Sequence, residues 1–315
     1  MYSRRILMLV IGSIANLAMA QTTFTPVKPG GRGPVSPNAR PIARTQATPA
    51  SAANLLVYVL TNNPETGAAQ FGAADVTSGG FAPIGPGLTF ELGHALLTSP
   101  GTALLSLGYE GNLYSIEPRT GVASVVGATG LADCTTPESP CGPTSANTIG
   151  QLDSRYYAID FAQNLYSLNP ATGATKLIGP TGMPPITVVP LSIDPSTGKL
   201  NVFEENLFSF RGRLYANFDT GLIDLSNGSE TAVIPAALYE INTETGHATT
   251  IAPTDIGLLT MMTVNDTIYA FDAPHGRFVT VDAATGHTQP VSYVDPSAGL
   301  VCGATSARPA PSMRP

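Results

Sequence analysis

The chain has 315 residues, with 15 Lys and Arg against 22 Asp and Glu, three cysteines and no tryptophan. All 22 acidic residues and nine of the 15 basic ones lie from residue 53 onward, so the body of the chain carries a net charge of −13. A surface that negative repels nucleic acid and anionic membrane, and excludes both as partners.

Residues 1–20 open with Arg4 and Arg5, run apolar from Ile6 to Ile14, and end Ala18-Met19-Ala20, the pattern that a signal peptidase cuts. The expectation is export, to the periplasm or the medium. No later apolar run approaches the ~20 residues of a membrane span, so none is expected after signal removal. Residues 21–52 are rich in Pro, Gly, Ser, Thr and Ala without a periodic apolar face. Such a segment cannot bury enough surface to offset its ordering entropy, and reads as a flexible linker. The folded body is expected over 53–306, with 307–315 a flexible tail.

Within the body one unit recurs. Residues 164–179 read NLYSLNPATGATKLIG, and related copies stand at 112–127, 237–252 and 277–292, with a worn one at 70–84. Each copy holds two runs of two-residue period, the signature of strands rather than of a 3.6-residue helix. Between the runs sits a turn such as Asn169-Pro170-Ala171-Thr172-Gly173. Here Pro170 pre-sets φ, Asn169 can bond its own backbone, and Gly173 can take φ > 0. Asp75, Glu117, Asn169, Asn242 and Asp282 recur at the residue that opens the turn. Calcium binding is one reading of that recurrence, but turn chemistry suffices for it.

The third-strand positions begin near 72, 113, 165, 207, 238 and 278, counting Leu207-Phe208-Ser209-Phe210 as a diverged member. The spacing approximates one four-stranded blade of ~40 to 45 residues. A blade cannot bury both faces alone, whereas a closed ring of blades can. The fold class expected is therefore all-β, a β-propeller of six blades. The alternative is five, with residues 188–252 forming one blade that carries an inserted hairpin. Residues 299–304 read as a first strand lacking a blade, and 55–84 as a blade lacking a first strand, so the two termini are expected to pair and close the ring.

The repeat resembles the Leu-Tyr-x-Ile-Asp-Pro-x-Thr-Gly hairpins of secreted bacterial β-propellers of uncharacterised function, and more distantly the quinoprotein-like and YVTN-type propellers, over roughly residues 53–306. The motif is a signature of blades and is nearly silent on chemistry. Quinoprotein dehydrogenase blades carry a docking tryptophan that this chain lacks, which argues against a pyrroloquinoline quinone cofactor.

Cys134 and Cys141 bracket a Pro- and Thr-rich loop, and an oxidising compartment favours a disulfide between them. Free thiols, or pairing of one with Cys302, are the alternatives. Their spacing is not that of a zinc site. Cys302 itself reads as a small apolar residue of the closing strand.

Blade topology puts the second-to-third turns and the inter-blade connections at one end of the ring. That end collects Glu91, His94, Tyr109, Glu110, Phe161, Gln163, Glu204, Glu205, Asp272 and His275, the expected ligand-binding face. The reading ranked first is a monomeric binding or scaffolding module whose partner is a protein, glycan or small molecule. The second is a metal-dependent hydrolase or lyase at the channel mouth, with carboxylates such as Glu204 and Glu205 and His94 or His275 holding a divalent cation such as calcium. The third is a structural surface or matrix protein. The sequence has no Gly-x-Ser-x-Gly elbow, His-Glu-x-x-His, phosphate loop or dinucleotide fingerprint, so nothing affirms catalysis and no cofactor beyond a possible cation is expected.

Overall fold

The computed structural model describes residues 55–62, 69–88, 92–98, 103–108, 110–131, 146–186, 194, 197–224, 230–273, 275–294 and 300–305. Their regular structure is entirely β, in five four-stranded antiparallel sheets. The first blade holds β1 (Leu56–Asn62), β2 (Ala69–Asp75) and β3 (Phe81–Pro83). The second holds β4 (Leu92–Thr98), β5 (Leu104–Gly108), β6 (Asn112–Ile116) and β7 (Ala123–Ala128), and the third β8 (Ala146–Leu152), β9 (Arg155–Asp160), β10 (Asn164–Leu168) and β11 (Thr175–Pro180). The fourth holds β12 (Leu200–Phe210), β13 (Arg213–Ile223), β14 (Glu230–Ile241) and β15 (Ala248–Pro253). The fifth holds β16 (Thr260–Val264), β17 (Thr267–Asp272), β18 (Arg277–Val281) and β19 (Thr288–Tyr293). The final strand, β20 (Leu300–Thr305), joins the first blade in the order β20-β1-β2-β3, pairing from Tyr58 with Thr305 to Asn62 with Leu300. The inner strands β4, β8, β12, β16 and β20 neighbour one another in a closed circle. The protein is thus a five-bladed β-propeller closed by its C-terminal strand.

The expectation of six blades is corrected here. Residues 200–253 make one blade, and Leu207–Phe210 belong to its inner strand, turning through Arg211 (φ 47°) and Gly212 (φ 71°) into β13. Two-residue alternation identifies a strand without saying which strand of a blade it is, and that ambiguity produced the extra blade. The additional length is a prolongation of β12, β13 and β14, whose pairing runs on to Leu200 with Ile223 and Ile223 with Glu230.

Alternation along each strand sends successive side chains to opposite neighbours, so the core consists of five clusters, one at each blade boundary. Tyr58 and Leu60 pack with Leu104 and Ile116 of the second blade, whereas Val57 and Val59 pack with Phe271 and Phe278 of the fifth. Leu105 and Leu107 meet Ile149 and Tyr156, Ile159 and Leu165 meet Leu207 and Phe218, and Phe208 and Phe210 meet Met261 and Ile268. Each such fully buried side chain contributes roughly 1.5–3 kcal/mol, and Phe and Leu fill these boundaries in place of the missing tryptophan.

The repeated turn is also a joint between blades. Asn169 Oδ1 accepts from Ala171 N at 2.9 Å and Asp282 Oδ1 accepts from Ala284 N at 2.9 Å, while Gly173 N and Gly286 N each close the turn on the backbone of its first residue at 2.8 Å. Gly79, Gly121, Gly173, Gly246 and Gly286 all have positive φ. A Cβ on Gly173 would stand 2.5 Å from the carbonyl oxygen of Gly127, and one on Gly246 would stand 2.6 Å from that of Gly179. Gly79, Gly121 and Gly286 lie still closer to Tyr293, Ile84 and Pro253. In every blade, therefore, the turn glycine abuts the outer strand of the preceding blade or the residue just past it.

Candidate functional site

The five turn-and-joint hairpins occupy one end of the ring, and the antiparallel topology puts the second-to-third turns and inter-blade connections at the other. At that second end a polar arrangement follows the second strand in three of the blades. In the third blade, buried Asp160 accepts from Asn164 N (2.8 Å), Asn164 Nδ2 (3.0 Å) and the Tyr166 hydroxyl (2.8 Å). In the fifth, buried Asp272 meets His275 Nδ1 at 2.8 Å and Arg277 Nε at 2.6 Å. In the second blade β5 ends on Gly108, and the Glu110 carboxylate swings back into the space that a side chain there would fill, with Oε2 2.5 Å from the Cβ position. Burial, and then the hydrogen bond and charge of the neighbouring carboxylate, push the hydroxyls of Tyr114 beside Glu110 and Tyr166 beside Asp160 up to about 12. Asp272 thus ties β17 to β18, and Glu110 bonds Tyr114 of the strand that follows it.

The densest polar group lies between the third and fourth blades. Alternation along β12 directs Phe203, Glu205 and Leu207 to one face and Glu204, Asn206 and Phe208 to the other. On the first face, fully buried Glu205 accepts at Oε2 from Gln163 Nε2 at 2.9 Å and from Asn147 Nδ2 of the adjacent inner strand. Gln163 sits in the β9–β10 turn with φ 66°, held by its backbone N on Asp160 O at 2.9 Å. Phe161 of the same turn packs edge-on against Phe203, with ring centroids 5.3 Å apart, and both rings are buried. Burial pushes the Glu205 carboxyl up to about 8, with the charge of Asp160 adding to the rise, while hydrogen bonds from Gln163 and Asn147 oppose it. Three buried oxygens of the group, Glu205 Oε1, Gln163 Oε1 and Asn147 Oδ1, have no hydrogen-bond partner among the described residues.

On the other face of β12, Glu204 pairs across the sheet with Asp219, and Asn206 with Asn217. Asn206 Nδ2 and Asn217 Nδ2 both donate to Leu258 O, at 2.9 and 3.1 Å. The two carboxylates converge on Gly257, whose Cβ position lies 2.7 Å from Asp219 Oδ2 and 2.8 Å from Glu204 Oε2.

Of the residues expected on the ligand face, the structure brings Gln163 and Glu205 together, with Phe161 alongside, and separately Asp272 and His275. Phe161, Gln163, Glu205 and Asp272 are buried, whereas the His275 side chain is 52% exposed. Glu204 and Glu205, adjacent in sequence, fall on opposite faces. Glu91 and Tyr109 lie outside the described residues, as do the side chain of His94 in β4 and those of Cys134, Cys141 and Cys302. Asn147, Asn217, Asp219 and Gly257 were not singled out by the sequence reading. Polar residues within otherwise apolar strands were the available signal for the first three, and Gly257 offered none. Among the described residues no three His, Cys, Asp or Glu side chains are grouped to hold a metal ion, and no helix is long and apolar enough to cross a membrane.

The fold and this end of it define a five-bladed β-propeller with a polar cluster at one mouth. No family model matches the chain, and no curated protein matches it in sequence. Among solved structures it is similar to a structural genomics protein of unknown function from Bacteroides thetaiotaomicron, at 14% identity and a TM-score of 0.43 over 75% of this chain and 55% of that one. It is also similar to the PQQ-bound aldose sugar dehydrogenase of Streptomyces coelicolor, at 13% identity and a TM-score of 0.36 over 59% and 57% of the two chains. A third is the glutaminyl cyclase of Myxococcus xanthus, at 12% identity and a TM-score of 0.34 over 71% and 74%. The chain spans about half the length of the first two of these structures. At this distance the likenesses say nothing of what the present chain binds or catalyses.

Proposed function

We propose that this protein is an exported binding propeller that takes a neutral, hydroxyl-bearing ligand, of the saccharide or polyol class, at the mouth between the third and fourth blades. The supporting observation is the buried Glu205 carboxyl, pushed up to about 8 and flanked by two side-chain amides. At neutral pH it is mostly protonated. Its Oε2 already accepts from Gln163 and Asn147, so the proton belongs on Oε1, which then donates. Gln163 Oε1 and Asn147 Oδ1 accept. One donor beside two acceptors is the complement of hydroxyl groups, which both give and receive hydrogen bonds, and a neutral site gives no advantage to an ionic ligand. Binding ranks above hydrolysis because Asp160, whose charge reaches Glu205, is committed to Asn164 and Tyr166 and is not free to act as a partner base.

In this reading residues 1–20 direct export and residues 21–52 hold the propeller clear of its point of attachment or release. The test is a thermal-shift panel of neutral mono- and disaccharides and polyols beside their uronic acid counterparts, at about pH 6 and about pH 9. A neutral member of the panel is expected to raise the melting temperature at the lower pH, with the effect fading at the higher one and absent in a folded Gln163→Ala variant. No shift from any neutral member, or a shift indifferent to Gln163→Ala, would overturn the reading.

A further inference from the structure

We infer that Tyr239 completes the mouth site. Its hydroxyl takes a second hydroxyl of the ligand whose first is held by Glu205, Gln163 and Asn147, so the ligand is a polyhydroxylated molecule and not a simple alcohol. The inference rests on the neutral, hydroxyl-bearing ligand proposed above and adds a specificity-determining residue to it.

Three observations carry it. First, register puts Tyr239 on the side of the blade that bears Glu205. Leu207 pairs with Ala216 and Ala216 with Tyr239, and one row nearer the mouth Glu205 pairs with Phe218 and Phe218 with Ala237. Residues two apart on a strand share a face, so Tyr239 lies on the face of Glu205 and not on that of Glu204. There it packs, half-buried, against the cluster of Leu207, Phe218, Tyr157 and Ile159 at the boundary of the third and fourth blades. Second, Tyr114 and Tyr166 hold the same rank in their own blades, pairing with Ser106 and Ala158, and their hydroxyls are committed. Tyr166 donates to Asp160, two residues beyond Ala158, and Tyr114 bonds Glu110. In the fourth blade the residue two beyond Ala216 is Phe218, so Tyr239 lacks the carboxylate that Tyr166 uses. Its hydroxyl has no hydrogen-bond partner among the described residues. Third, the field of Glu205 reaches this hydroxyl. Burial pushes the Tyr239 phenol above its ordinary value, and the charge of Glu205 adds to the rise. An uncommitted phenol in that position leaves hydrogen-bonding capacity at the mouth, and a ligand hydroxyl fills it by donating or accepting.

The experiment is calorimetry of the full-length protein at about pH 6, below the Glu205 midpoint. The probes are glucose, galactose, mannose, maltose and mannitol, with the monodeoxy analogues of whichever binds. Tyr239→Phe deletes one oxygen and keeps the ring, so its melting temperature without ligand should match wild type. It is expected to weaken binding by roughly three- to tenfold, the worth of one neutral hydrogen bond. One deoxy analogue should lose the same factor in wild type and be indifferent to Tyr239→Phe. Tyr114→Phe, the same change at another blade boundary, should leave affinity unaltered. No heat from any probe in wild type overturns the parent reading and this inference with it. Binding that is unaltered by Tyr239→Phe, weakened as much by Tyr114→Phe, or matched by no deoxy analogue overturns this inference alone. The tyrosinate absorbance that Tyr239→Phe removes gives a check without ligand. Its alkaline midpoint should fall in a Glu205→Gln background, and an unmoved midpoint would set the two residues apart and overturn the inference.

Discussion

Gly173, in the hairpin of the third blade, lies so close to the Gly127 carbonyl of the second that a Cβ would stand only 2.5 Å from that oxygen. The same closure recurs between Asp194 and Lys199, where Gly198 has φ 68° and bonds through its N to Asp194 O at 2.8 Å, with nothing among the described residues within 4 Å of its Cβ position. The two glycines share a backbone conformation and differ in the joint. Gly198→Ala should therefore cost about 1–2 kcal/mol, the left-handed penalty alone, and Gly173→Ala clearly more. Urea denaturation of the two variants compares them directly. Equal losses would show that the repeat is only a turn and that the blades dock without it.

The Glu205 carboxyl should make stability fall as pH rises. Its folded value, about 8, lies above the ordinary 4.5, so between these values the folded state holds a proton that the unfolded state has released. Stability from this group is then complete below about pH 4.5, is lost through the interval at up to roughly 1.4 kcal/mol per pH unit, and levels off above about 8. Asp282 acts in the opposite sense. Hydrogen bonds from Ala284 N and Thr285 N hold it below 3.8, so its contribution is present above that value and disappears as pH falls further. The windows do not overlap. Glu205→Gln, which mimics the neutral acid, should flatten the profile from about pH 5 to 8 and raise the melting temperature at the upper end. Denaturant midpoints at stepped pH check this, and an unchanged slope in the variant would assign the dependence to other groups.

Ring closure by β20 makes truncation position-specific. Ending the chain after Asp295 removes β20, one of the two partners of β1, and leaves Leu56–Asn62 as an open edge paired only with β2, whereas ending it after Ser306 leaves the 20 described strands in place. The shorter protein should aggregate or melt at much lower temperature, and the longer one should match the full chain by light scattering and circular dichroism. Matching behaviour of both would contradict closure.

The propeller was legible in the sequence because each hairpin has its own turn chemistry, and strand period and turn residues are local properties. The joint made by Gly173 was not, since the turn accounts for the glycine without reference to Gly127, 46 residues earlier. The blade count failed at Leu207–Phe210, where alternation is as regular as in a third strand and only the long pairing of β12 with β13 shows its rank. The candidate site was half visible. Gln163 and Glu205 stood out as polar residues at the loop-rich end, but Asn147 belongs to the preceding blade, 58 residues away, and its amide reaches Glu205 only once the inner strands are side by side. Glu204 and Glu205 were expected side by side on one face, but both lie within β12, whose two-residue alternation sends neighbouring side chains to opposite faces.

The central claim is that a neutral carboxyl stands buried at this mouth, and the most direct measurement is its own titration. Infrared difference spectra of the full protein against Glu205→Gln should show a protonated carboxyl band that persists through neutral pH and disappears with a midpoint near 8. A midpoint in the ordinary carboxylate range, near 4.5, would contradict the neutral site and with it the hydroxyl-bearing ligand that the site is proposed to receive.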